Sequence, residues 1–118
     1  MSRFSELKNG IYGRSYKGYY IETQPGRKKT YTVKDKDLNP LSQEFGTYEE
    51  AEWFIDKIAA DETDLKIIHK MFQIDINELT AMVVNFARVD KKSLSDDEKT
   101  LYEWSRKVRY RREKGLEE

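Results

Sequence analysis

The chain predicts an α+β fold: a small three-stranded antiparallel sheet covered by one helix, then a C-terminal half of three helices. Three observations lead there. Residues 16–23 and 29–35 alternate β-branched or aromatic residues with polar ones on either side of a Pro-Gly turn, the period-two signature of paired strands. Ser or Thr followed three positions later by Glu opens two segments with helical apolar spacing. The 118 residues suffice for one domain burying roughly two thirds of its unfolded surface.

Residues 1–15 have weak periodicity and contain Gly10 and Gly13, so they read as an N-terminal arm with one helical turn around Phe4 and Leu7. The hairpin follows, its turn formed by "QPGRK", where Pro25 presets φ and Gly26 accepts positive φ. A third strand is expected at residues 41–45. In "GTYEEAEWFIDKIAA", Thr47 and Glu50 form a capping box, and Ala51, Phe54, Ile55 and Ile58 share the face that covers the sheet. Residues 16–60 thus form a ββ(β)α unit.

Residues 61–118 are the helical part of the same single domain. Leu65, Ile68 and Phe72 make one stripe, and Ile76, Leu79, Met82, Val83 and Phe86 another, capped by Asp75. Ser95 and Glu98 cap the last helix, in which Leu101, Trp104 and Val108 align and Gly115 marks the end. Arg111 and Arg112 continue the Leu101–Trp104–Val108 stripe, so the helix is expected to leave the body there.

Composition narrows the function. There is no cysteine, hence no disulfide, thiolate nucleophile or thiolate metal site. A single histidine, His69, lies mid-helix without the partners of a catalytic arrangement, and no phosphate-cradling glycine loop or calcium-loop spacing is present. No enzyme activity, cofactor or metal is expected. No apolar run nears the ~18 residues of a membrane span, and "MSRFSELKNG" lacks a secretory apolar core, so a cytoplasmic protein without a membrane partner is expected.

A formal net charge of zero conceals segregation. Residues 1–38 carry nine Lys/Arg against four Asp/Glu, residues 39–80 three against ten, and residues 81–118 ten against eight. Two surfaces of opposite sign follow. Strand pleating turns Tyr19, Ile21, Tyr31 and Val33 toward the covering helix and leaves Tyr16, Tyr20, Lys28, Thr30, Thr32 and Lys34 on an open, basic, aromatic face.

The layout of strands followed by "FGTYEEAEWFIDKI" resembles the arm-type DNA-binding domain at the amino end of some phage and transposon integrases, over residues 16–60. That resemblance implies a sheet face entering the major groove and nominates Tyr20, Arg27, Lys28, Thr30 and Lys34. Tyr16 and a second basic cluster, Arg106, Arg109, Arg111 and Arg112, complete this nucleic-acid reading. The pair "LKIIHKMFQIDINELTAMVV" has the outline of a helix-turn-helix, but residues 71–87 contain no Lys or Arg to meet phosphates.

The favoured expectation is a protein-binding modulator. Small size, no cysteine, abundant tyrosine and an acidic middle segment resemble phage and mobile-element anti-defence proteins such as anti-CRISPRs, which implies inhibition of a nucleic-acid enzyme. Glu44, Glu49, Glu52, Asp56, Asp61 and Asp64 form the acidic surface expected to dock a basic channel. Nucleic acid binding through the hairpin face is the alternative.

Overall fold

Lys17 and Gly18 both adopt positive φ, 49° and 84°, closing a two-residue hairpin in which Tyr16 pairs directly with Tyr19. Such a turn matches the right-handed twist of the strands it joins. The computed structural model describes the backbone of residues 5–8, 11–23 and 29–118, and the side chains from residue 13 onward within those ranges. The chain is α+β and divides into two compact units, Met1–Ala60 and Asp61–Glu118.

The first unit is a four-stranded antiparallel meander in the order β1-β2-β3-β4, with β1 Ser5–Lys8, β2 Ile11–Tyr16, β3 Tyr19–Thr23 and β4 Tyr31–Lys34. Of the residues expected to form an arm, 5–8 and 11–15 are therefore strand; Leu7 lies in β1 rather than in a helical turn, and Phe4 lies outside the described residues. Antiparallel pairing with β3 supplies β2 with hydrogen bonds that its own weak alternation did not advertise. Pro25 and Gly26 lie outside the described residues.

The expected strand at 41–45 reduces to isolated bridges, Tyr31 with Phe45 and Lys34 with Pro40. Pro40 has no N–H to donate, and the Val33 N–H is taken by the Ser42 hydroxyl at 3.0 Å, so a regular ladder cannot run on.

Helix α1, Tyr48–Ala59, starts where the Thr47 hydroxyl accepts the Glu50 N–H. It packs on β3 and β4. Ile21, Val33, Ala51 and Ile55 are completely buried and Tyr48 nearly so, and Tyr16, Tyr19, Tyr31, Phe45 and Phe54 close around them. Each buried Ile or Val contributes on the order of 1.5–3 kcal/mol. Ile58, expected on this face, is exposed, whereas Trp53 and Asp56 are buried.

The second unit contains α2 Glu62–Gln73, α3 Ile76–Arg88, a single 3₁₀ turn Lys91–Ser93 and α4 Asp96–Glu113. Asp61 and Asp64 cap α2 reciprocally, a box that escapes a search for Glu or Gln at the third position. Asp75 caps α3, and Ser95 with Glu98 caps α4. Helix α4 packs against both α2 and α3, burying Ile68, Met71, Leu79, Val83, Leu94, Trp104 and Val108. Leu65, expected in the α2 stripe, is exposed and Met71 takes the buried position instead.

Gly115, at φ 72°, ends α4. Its N–H donates to the Arg112 carbonyl and that of Leu116 to the Arg111 carbonyl, the paired bonds of a Schellman motif. The helix does not leave the body at Arg111 and Arg112. Arg111 is buried and donates to the Glu117 carbonyl, while Arg112 donates to the Met71 and Ile74 carbonyls at the end of α2. A guanidinium has enough donors to satisfy two orphan helix carbonyls, so cations on an apolar stripe can still be interior.

Candidate functional site

The sheet face opposite α1 carries Ser15, Tyr20, Glu22, Thr32 and Lys34, placed there by alternation from the buried Ile21 and Val33. Tyr20, Thr30 and Thr32 are half-buried on this unit. Lys34 is not a free cation: its Nζ lies 2.5 Å from Glu22 Oε2, and the two side chains are only 19% and 11% exposed. Arg27 and Lys28 lie outside the described residues.

Tyr16 faces the other way from expectation. Direct partners across a two-residue hairpin project to the same side, so Tyr16 follows Tyr19 onto the helix face. There its hydroxyl donates to Asp56 Oδ1 at 2.7 Å, and Lys17 Nζ reaches the same oxygen at 2.7 Å.

The expected acidic surface disperses. Asp56 is 2% exposed and its carboxylate is engaged from within. Asp61 and Asp64, in the second unit, cap α2, and Asp64 Oδ1 also accepts the indole N–H of Trp104 at 3.2 Å. Glu44 and Glu49 are exposed and Glu52 half-buried on the first unit. Only part of the acidic set is therefore displayed for docking.

The C-terminal cations are similarly sorted. Arg111 and Arg112 serve the helical packing, and Arg109 pairs with Glu113 one turn on. Arg106 is exposed, its guanidinium 5.1 Å from the Tyr102 ring centroid. His69 is exposed, with Nδ1 3.2 Å from Glu118 Oε1 and Nε2 2.9 Å from Gln73 Nε2. Among the described residues no group of His, Asp and Glu is arranged to hold a metal ion, and no helix is long and apolar enough to cross a membrane.

A groove of about 550 Å³ lies beside α3 within the second unit. Ala81, Met82, Phe86 and Val89 form its apolar wall, Leu94 closes one side, and Glu78 and Glu98 stand at its rim. Along α3 these wall positions recur at one helical face, with Leu79 and Val83 turned into the core. Val89 is 44% exposed.

Glu98 keeps its charge at this rim. The Ser95 backbone N–H, and next the Ser95 hydroxyl, hold its carboxyl below the ordinary value of 4.5. Met82 and Phe86 share the expected apolar stripe with the buried Leu79 and Val83 but form its half-buried edge, which periodicity cannot distinguish from its centre. No protein-family model, curated protein or solved structure matches the chain.

Proposed function

We propose that the chain is a non-enzymatic protein-binding modulator that receives an amphipathic helical segment of its partner in the α3–α4 groove. The observation that carries this reading is an apolar trough with a carboxylate rim in a chain where 37% of residues are charged. Apolar area left open in so polar a protein favours a recognition role over incomplete packing.

The dimensions suit a helix. From Glu78 to Val89 the trough follows α3 for about 16 Å, three helical turns, so a partner offering apolar side chains at i, i+4 and i+7 fills it. Glu78 and Glu98 select Lys or Arg at the flanks of that segment and disfavour acidic flanks. Enzymes that handle nucleic acid carry such cation-rich surfaces for phosphate contact, which keeps them the favoured class of target. The docking surface moves from the acidic residues around α1 to the second unit.

A synthetic helical peptide with three Leu anchors and Lys at both ends tests the reading by amide chemical-shift mapping on the full chain. Shifts concentrated at Met82, Phe86 and Val89, and weakened about tenfold by Val89→Lys, support it. No response, or a response elsewhere, overturns it. Self-association abolished by Val89→Lys would give the groove to a second copy and also overturn it.

A further inference from the structure

Beside the protein-binding groove, and sharing Leu94 with it, lies a second cleft of about 200 Å³; the ring of Phe86 in the groove and that of Tyr102 in the cleft are tilted against each other at 5.7 Å. Lys91, Lys99 and Arg106 converge on it, with Tyr102 as its wall. Its one carboxylate, Glu103, is held by Lys107 at 2.9 Å. Among the described residues, Lys91, Lys99 and Arg106 have no carboxylate partner. Three cations of this kind near one small concavity create a local positive field in a protein of zero net charge.

The same chemistry continues along α4. Lys99, Tyr102, Arg106, Tyr110 and Lys114 fall on one helical face, at offsets of three, seven, eleven and fifteen positions. The row is about 22 Å long at 1.5 Å per residue. Arg106 lies over Tyr102 and Lys114 lies 5.9 Å from the Tyr110 ring, which is 44% exposed.

We propose that this cleft and the α4 row bind the phosphodiester backbone of single-stranded nucleic acid, independently of the protein-binding groove. Lys114, beyond the cleft at the end of α4, adds a fourth cation, and charges spaced in this way fit a chain of phosphates better than the single phosphate of a modified peptide. An exposed tyrosine between cations supplies a stacking platform for an unpaired base, which a duplex does not present. Of the residues nominated by sequence for nucleic acid, the site retains Arg106; the hairpin face drops out because Lys34 is paired internally and Tyr16 turns to α1, and Arg111 and Arg112 because they serve the helical packing.

Fluorescence anisotropy of a labelled fifteen-residue oligothymidine against the full chain tests this, with a matching duplex and a phosphoserine peptide as further probes. Binding is expected at low salt, and log K should fall against log salt with a slope of about −3, from roughly 0.7 per phosphate and the four cations Lys91, Lys99, Arg106 and Lys114. The pair Lys99→Glu and Arg106→Glu should weaken binding at least about tenfold while circular dichroism remains unchanged, since both side chains are exposed. Arg106→Lys should retain the slope, and Lys66→Glu on α2 should have no effect. Absence of binding, undiminished binding by the double variant, or equal affinity for duplex or phosphopeptide overturns the proposal.

Discussion

The phenol of Tyr16 donates a 2.7 Å hydrogen bond to the buried carboxylate of Asp56, joining the tip of the β2–β3 hairpin to α1 across forty positions of sequence. Lys17, from the turn itself, contacts the same oxygen. An acidic side chain that composition would place on a docking surface is consequently part of how the first unit closes.

Asp56→Ala leaves the Tyr16 hydroxyl and the Lys17 ammonium without their shared acceptor. The loss should be on the order of 2–3 kcal/mol, nearer the lower figure because Lys17 remains partly hydrated. Tyr16→Phe removes one donor and should cost about 1 kcal/mol. Denaturant unfolding followed by tyrosine and tryptophan fluorescence compares the two.

Gly18, at φ 84°, holds the second central position of that turn. Space is not the constraint, since a Cβ would meet nothing within 4 Å. Gly18→Ala should still cost about 1 kcal/mol, because an L side chain is disfavoured in the left-handed region. Hydrogen exchange of the β2–β3 amides should accelerate in step.

Arg112 fastens α4 to the end of α2 through the Met71 and Ile74 carbonyls, at 2.9 and 2.7 Å. Arg112→Ala should lower the stability of the second unit by about 1.5–2 kcal/mol. Arg112→Lys should recover only part of it, because a point-charge ammonium lacks the fork that reaches both oxygens. Thermal unfolding of the three proteins at one ionic strength ranks them.

Acid should loosen both units. The Asn39 backbone N–H above all holds the Asp35 carboxyl below its ordinary 3.8, and the Ser95 backbone N–H does the same for Glu98 below 4.5. Lowered folded values mean that these contributions are complete above the ordinary values and disappear as pH falls through the lowered ones. Glu98→Gln keeps an oxygen for the Ser95 N–H but cannot titrate. Thermal melts from about pH 6 down to pH 3 should therefore fall less steeply in that variant.

Local chemistry was legible in the sequence. Thr47, Asp75 and Ser95 mark helix starts because a cap involves only the next two or three residues. Ile21 and Val33 were placed in the core by alternation alone. The hairpin at Lys17–Gly18 was not read, because Lys at its first position departs from the Asn-Gly or Asp-Gly signal. Alternation through residues 16–23 as one strand groups Tyr16 with Tyr20, whereas the turn pairs it with Tyr19.

What remained hidden depends on distant partners. The burial of Asp56 requires Tyr16 and Lys17, and the interior roles of Arg111 and Arg112 require the turn at Gly115 and the end of α2. The groove was hidden for a related reason. Apolar spacing identifies Met82 and Phe86 as belonging to one face of α3, while only packing by α4 decides how much of that face is covered.

A charge swap at the groove tests the central claim most directly. The ratio of dissociation constants for the Lys-flanked peptide and its Glu-flanked counterpart should favour the Lys-flanked form by about tenfold in the unaltered chain, equivalent to roughly 1.4 kcal/mol. Exposed Glu78 at the rim can be replaced without touching the core, and Glu78→Lys should bring that ratio close to one. A preference that is absent at the outset, or unchanged by Glu78→Lys, would contradict recognition at this groove.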